Sequence, residues 1–324
     1  MSRRPRILTT LCMFGLLVAC GGDDDASTGS TGTSTGPDTS ATAGSSGTTA
    51  SDTSATGSGT SSSGSSETAG SAGTTGGAGG CGTPLEPGAV TETLTVEGKE
   101  RTFLFVVPDG YDPNTPMPVV FAWHARGTTA ELARLYYKVE ESAAGAALFV
   151  YPQGLPQPDF GNDTGWNLDT NGEDVAFFDA MLDFVRERAC VDESRIFSTG
   201  HSFGAFMSNT LGCARAGTVR ALGAVAGGGP YFGCTGPVAA WIAHGMSDTT
   251  VPFSQGEGSR DFWVGENGCS DTTVPLDDPS LCVEYQDCMR GFPVVFCPHD
   301  EPDLGGHGWP AWAGPAIWDF FARF

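Results

Sequence analysis

The run Pro118–His124, PVVFAWH, is apolar at nearly every position, the pattern of a strand buried on both faces. Ala147–Pro152, ALFVYP, repeats it, and Thr129–Ala144 between them has helical spacing. Asp174–Arg188 places Val175, Phe178, Met181, Leu182 and Val185 on one helical face. Short apolar runs then predict strands at Arg195–Ser198, Ala221–Ala226, Val238–His244 and Pro293–Phe296, with helices at Phe203–Ala214 and Ala316–Phe324. Upstream, Thr91–Val96 and Arg101–Pro108 flank the polar turn Glu97–Glu100 and predict an antiparallel hairpin. Strands alternating with helices predict an α/β chain: a mostly parallel central sheet, helices on both faces, and functional residues at strand C-terminal ends.

This pattern begins only near Cys81. Residues 21–80 are almost wholly Gly, Ser, Thr and Ala, too poor in apolar side chains to offset the entropy of ordering, and predict a disordered tether. Residues 1–20 place three arginines before a short apolar run, which reads as an export signal. That run ends in Leu17-Val18-Ala19-Cys20, which resembles a bacterial lipobox with Cys20 as the lipidated residue. The expected organisation is a lipoprotein signal peptide at 1–19, a linker at 20–80 and a catalytic domain at 81–324.

Charge and cysteines narrow the class. Residues 81–324 hold 13 basic and 32 acidic residues, a net charge of −19. That argues against nucleic acid, and leaves a lipid anchor as the expected route to a membrane. The eight cysteines at 81, 190, 213, 234, 269, 282, 288 and 297 form an even set, as in an exported disulfide-bonded protein. Spacing favours Cys213 with Cys234, and pairing within the group 269, 282, 288 and 297. No CxxC pair or zinc-like histidine spacing is present, so no metal is expected.

The candidate chemistry centres on Gly200-His201-Ser202-Phe203-Gly204, a GxSxG pattern between a predicted strand and a predicted helix. Gly32–Gly36 in the tether matches the same pattern without that context. In the strand-to-helix setting Ser202 projects above the sheet as a nucleophile, and the Phe203 N–H faces a developing oxyanion. A serine needs a base. His201 adjoins Ser202 and should point away, while His124 and His244 end buried strands. His307, in the loop GGHGWP, is favoured over His299. Asp248, in HGMSDTTVP, is the expected acid, ahead of Asp303, Asp300 and Asp261. Backbone N–H groups of Ala125 or Arg126 are expected to supply the second oxyanion donor. Trp166, Trp309, Tyr231 and Phe232 are candidate aromatic walls for an acyl group.

The segments VYPQG, GWN, EDVAFFDAML, SRIFSTGHSFGAFMS, HGMSDTTVP and GGHGWP resemble the extracellular polyhydroxybutyrate depolymerase and feruloyl esterase family. The resemblance runs from about Arg101 to Phe324. It implies an α/β-hydrolase fold, carboxylic ester hydrolysis without a cofactor, and triad roles for Ser202, Asp248 and His307. Two departures stand out: Ala125 follows His124 where the family usually has Gly, and Ala205 follows Gly204 where it usually has a second Gly. The reading is a secreted or surface-anchored, monomeric serine esterase, feruloyl-esterase-like, acting on esters of plant cell-wall polysaccharide. Polyhydroxyalkanoate depolymerase, acetyl xylan esterase, a prolyl-oligopeptidase-like peptidase with the same triad order, and a non-catalytic binding module on the same fold are the alternatives.

Overall fold

The computed structural model describes residues 79–231, 233–279 and 281–324. The expected signal peptide, Cys20, nearly all of the tether and Phe232 lie outside the described residues.

The chain enters through a hairpin of β1 (Gly88–Val96) and β2 (Lys99–Val107), turned by Glu97 and Gly98, both at positive φ. The parallel strands are β3 (Met117–Trp123), β4 (Leu148–Pro152), β7 (Val191–His201), β8 (Val219–Val225), β9 (Ala239–Gly245) and β12 (Val294–His299). A small hairpin, β5 (Leu155–Gln157) and β6 (Asp163–Gly165), stands apart from the main sheet. With β10 (Thr273–Pro275) and β11 (Val283–Tyr285) at the far edge, the main sheet runs β1-β2-β4-β3-β7-β8-β9-β12-β11-β10. The six central strands are parallel, and antiparallel strands close both edges. This is the α/β-hydrolase fold.

The period of two in each strand sorts the core into two layers. Phe121, Val150, Ile196, Leu222 and Ile242 face the side covered by α3 (Glu173–Arg188), α4 (Phe203–Ala214) and α5 (Phe253–Glu266). Val120, Phe149, Phe197, Ala221 and Trp241 face α1 (Ala130–Tyr137), α2 (Val139–Ala143) and α6 (Ala313–Phe321). Arg101 on β2 and Asp174 on α3 are both 1% exposed and meet at 2.5 Å. The Arg101 guanidinium also lies over the Phe177 ring, and Asp174 accepts the Asn167 N–H at 2.6 Å, so this buried pair is partnered on several sides.

Several elements differ from the sequence pattern. The helix expected over Thr129–Ala144 is two helices, broken at Lys138, which takes a left-handed conformation at φ 59°. The break lets Tyr137 and Val139 both turn into the core. The strand expected at Arg195–Ser198 extends four residues earlier and three later. Helix α5 carries glycines and little apolar periodicity; Trp263, fully buried, is its main anchor.

Four disulfides join Cys81–Cys190, Cys213–Cys234, Cys269–Cys288 and Cys282–Cys297. The last three agree with the spacing. Cys81–Cys190 ties the start of the domain to the entry of β7, a contact between residues 109 apart that spacing does not indicate.

Candidate active site

The strand β7 ends at His201, and α4 begins two residues later at Phe203. Reversing direction in one residue forces Ser202 to φ 53° and ψ −119°, a conformation that costs a non-glycine residue energy. The two glycines of the motif make the turn possible. A Cβ on Gly200 would strike the Gly204 backbone, and one on Gly204 would strike the Trp123 carbonyl. Ser202 is pinned through its own N–H, which donates to Val225 O at 2.9 Å, and its carbonyl accepts from Ala205 and Phe206.

Two loops complete the site. The loop after β9 brings Asp248 up, and the loop after β12 brings His307. Gly306, at φ 88°, lies so close to Ser247 and Asp248 that a side chain there would collide with their backbone. His307 Nε2 lies 2.8 Å from Ser202 Oγ, and His307 Nδ1 lies 2.7 Å from Asp248 Oδ2. The three side chains singled out in the sequence therefore meet in one hydrogen-bonded chain. Asp248 Oδ1 accepts the N–H groups of Thr250 and Val251, each at 2.8 Å. Burial pushes the Asp248 carboxyl up, but His307 and these two N–H donors outweigh it and hold it below its ordinary value of 3.8.

Two further histidines brace this chain. His201 Nε2 is 2.7 Å from the His307 carbonyl oxygen. A carbonyl only accepts, so Nε2 carries the proton. Burial pushes the His201 imidazole down to about 4, which keeps it neutral. His244 Nε2 is 2.9 Å from Val251 O and 3.2 Å from Asp248 Oδ2. The same logic puts its proton on Nε2, shared between carbonyl and carboxylate. The expectation that His201 turns away from Ser202 and that His244 is a hydrogen-bonded strand-end residue agrees with this. The contact of His244 with Asp248 was not anticipated, although their spacing of four residues across the strand-end turn was visible. His299 is fully buried with its Nδ1 accepting from Glu301 N at 3.3 Å, and makes no bond to Ser202.

At the mouth, the Phe203 N–H opens α4 without an acceptor among the described residues. The Arg126 N–H has none either, whereas the Ala125 N–H has the Tyr137 hydroxyl oxygen as a neighbour. The Ala125 carbonyl is held by His124 Nδ1 at 2.7 Å and by Thr128 Oγ1 at 2.8 Å. His124 is anchored in turn by the Gly154 N–H, 2.9 Å from its Nε2, and burial pushes it down to about 4.

The aromatic expectations need correction. Trp166 is 1% exposed and packs edge-on against Trp123, its Nε1 donating to the His124 carbonyl at 2.8 Å. Trp309 is 4% exposed and stacks on Tyr137 with ring centroids 4.2 Å apart. Both indoles are core: they bury more apolar area beneath the loops than a mouth position offers, and Trp166 finds a partner for its N–H inside. Tyr231 is exposed, stacks on Phe206 and donates to Gln255 Oε1 at 2.9 Å. The sequence reading missed Phe160, which is half-exposed, packs against the Phe203 ring at 5.2 Å and lies under the Arg126 guanidinium. Its only sequence signal is an aromatic at the tip of a polar hairpin. Among the described residues no group of three or more His, Cys, Asp or Glu could hold a metal ion.

A hydroxyl bonded to an imidazole whose other nitrogen is held by a carboxylate can lose its proton as it attacks a carbonyl. Comparison with known proteins identifies the group that carries this geometry. No protein-family model matches the chain. Feruloyl esterase D of Neurospora crassa is 34% identical over 274 residues, covering 76% of this chain and 90% of that protein. This chain belongs to the feruloyl esterase family. Feruloyl esterase C of Emericella nidulans is 35% identical over 261 residues, covering 75% of this chain and 90% of its own. Among solved structures, an acetyl xylan esterase from Aspergillus awamori aligns with a TM-score of 0.57 at 14% identity, over 72% of this chain and 99% of its own. At that identity the likeness speaks for the fold alone. This member of the feruloyl esterase family is a carboxylic ester hydrolase, and its four disulfides fit an exported protein.

Proposed function

We propose that Ser202 is the nucleophile, His307 the general base and acid, and Asp248 the residue that orients the imidazole and stabilises the imidazolium formed when it takes the serine proton. The observation carrying this reading is the unbroken bond chain from Ser202 Oγ through His307 to Asp248. Ser202 attacks the ester carbonyl while His307 takes its proton. The tetrahedral oxyanion forms against the Phe203 N–H and one N–H of the 125–126 loop. Because two side chains fix the Ala125 carbonyl, the planar trans peptide aims the Arg126 N–H the opposite way, which favours Arg126 over Ala125. His307 then protonates the leaving alcohol, and a water activated by His307 releases the acid. No metal or organic cofactor enters these steps.

The substrate proposed is a hydroxycinnamate ester of a plant cell-wall polysaccharide, in keeping with the names of the relatives. The half-exposed Phe160 ring, packed on Phe203 next to the serine in the chain, supplies an aromatic surface. We extend the proposal to the rest of the chain: a signal peptide at 1–19, lipidation of Cys20, a tether over 20–80 and a monomeric catalytic domain at 81–324. This holds the enzyme at the surface of the cell, in an outer membrane or facing outward. The test assays wild type and Ser202→Ala on methyl ferulate, p-nitrophenyl acetate, acetylated xylan and hydroxybutyrate oligomers. Methyl ferulate turned over fastest, with no turnover by Ser202→Ala and stoichiometric fluorophosphonate labelling of Ser202, is expected. Equal rates for the two proteins would refute the mechanism, and a preference for hydroxybutyrate would refute the substrate.

A further inference from the structure

Charge pairing singles out a second place on the molecule. Eleven of the 13 basic side chains in residues 81–324 lie within 4.0 Å of a carboxylate. With 32 acidic residues available, an arginine left over is conspicuous. Among the described residues the two without such a partner are Arg220 and Arg290, and both line one cavity of about 580 Å³.

That cavity lies where β7 and β8 begin, since Ser194 and Arg220 both border it. Ser202 stands beyond the other end of β7. Eight residues of strand separate Ser194 from Ser202, roughly 25 Å at the rise of an extended chain. The cavity is therefore distinct from the catalytic mouth.

Its arginine is held in place. The Arg220 guanidinium sits 3.9 Å from the Phe324 ring centroid and 5.0 Å from that of Phe292, and its Nη2 donates to Gly291 O at 2.5 Å. Its Nη1 is buried and has no partner. A buried guanidinium donor left unpaired costs free energy unless something accepts from it. The opposite wall is fixed too: Cys269–Cys288 clamps it, and Met289 N–H donates to Asn267 O at 2.8 Å. Arg323 also lines the cavity but is already occupied by Glu284 through two bonds of 2.8 Å. Among the described residues Asp287 is the one side-chain carboxylate on the wall without a partner, and it opposes an incoming anion.

We propose that this cavity binds a carboxylate-bearing sugar, an acidic side residue of the polysaccharide whose esters the catalytic site cleaves. This rests on the polysaccharide reading of the substrate. Arg220, pre-set between two rings, supplies a fixed cation on the wall for a carboxylate, and Arg290 adds a second. Tyr285, partly exposed on the wall, offers an aromatic face to the C–H side of a pyranose. The volume suits one or two sugar rings. Such a site far from Ser202 raises the local concentration of the polymer at the enzyme by adding a second point of attachment.

The test uses isothermal titration of the whole protein carrying Ser202→Ala, so that binding is read without turnover. The probes are methyl glucuronoside, methyl glucoside, inorganic phosphate, and a glucuronate-substituted and an unsubstituted xylo-oligosaccharide. The uronoside is expected to bind at least tenfold more tightly than the neutral glucoside and than phosphate, and the substituted oligosaccharide more tightly than the unsubstituted one. Arg220→Gln and Arg290→Gln should each weaken uronoside binding several-fold, and Asp287→Asn should strengthen it. Remade with Ser202 intact, each of these variants is expected to keep its activity on methyl ferulate, which shows that it folds. Equal binding of uronoside and glucoside, phosphate binding as tightly as uronoside, or unchanged binding in folded Arg220→Gln would each overturn the proposal. Failure of the ester reading would appear separately, as absence of turnover on methyl ferulate by the enzyme with Ser202 intact.

Discussion

His201 Nε2 donates to the main-chain carbonyl of His307 across 2.7 Å, although the two residues are 106 positions apart in the chain. The variable residue of the serine motif thus holds the loop that carries the imidazole. Replacing His201 with Leu keeps volume and removes the donor. The expected outcome is a fall in kcat of roughly 10-fold or more with KM little changed, since a small misplacement of the base costs rate rather than ground-state binding. Steady-state kinetics on methyl ferulate checks this; a changed KM at constant kcat would contradict it.

His244 performs the matching role for Asp248. In His244→Phe the carboxylate loses a donor and a wall, and kcat should fall, while His244→Gln, which keeps an N–H in reach, should recover part of it. Steady-state kinetics on methyl ferulate checks this, with KM expected to change little because the effect passes through the orientation of Asp248. Wild-type kcat in His244→Phe, or no recovery in a folded His244→Gln, would contradict it.

Stability should fall in mild acid. His124 and His201 are each pushed by burial from 6.5 to about 4 in the folded protein. Between those values the unfolded chain binds protons that the native protein refuses, so acidification favours unfolding. The contribution is fully present above about 6.5, is lost as pH falls toward 4, and amounts to on the order of 3 kcal/mol per histidine. His244 and His299 are shifted in the same direction. Urea unfolding at pH 7, 5.5 and 4 with the disulfides intact should show the decline; a flat profile would mean these imidazoles are solvated.

Trp166→Ala separates a core residue from a substrate contact. As the indole is buried and its N–H bonds to His124 O, the substitution should cost about 3–5 kcal/mol of stability. Phe160→Ala, at a half-exposed ring beside Phe203, should leave the denaturation midpoint nearly unchanged and raise KM for methyl ferulate relative to p-nitrophenyl acetate. The opposite assignment of effects would return Trp166 to the binding surface.

Arg101→Met leaves Asp174 as an unpaired buried carboxylate. A loss of about 3–5 kcal/mol is expected, and Arg101→Met with Asp174→Leu should recover much of it. Denaturant titration of the two variants decides.

By itself the sequence determined the order of the entry hairpin, the six parallel strands and most of the helices, the placement of Ser202 between β7 and α4, and Asp248 and His307 as its candidate partners. Each of these depends on local patterning: apolar runs, helical period, and loops that follow strands. Tertiary structure alone decided what lies behind those residues. The bracing by His201 and His244, the Cys81–Cys190 link and the two unpaired arginines at one cavity depend on which distant segments are brought together. The break at Lys138 and the burial of Trp166 and Trp309 belong there as well. An aromatic residue in a loop has the same local pattern whether it faces solvent or core, and only the packing of the neighbouring layers distinguishes the two.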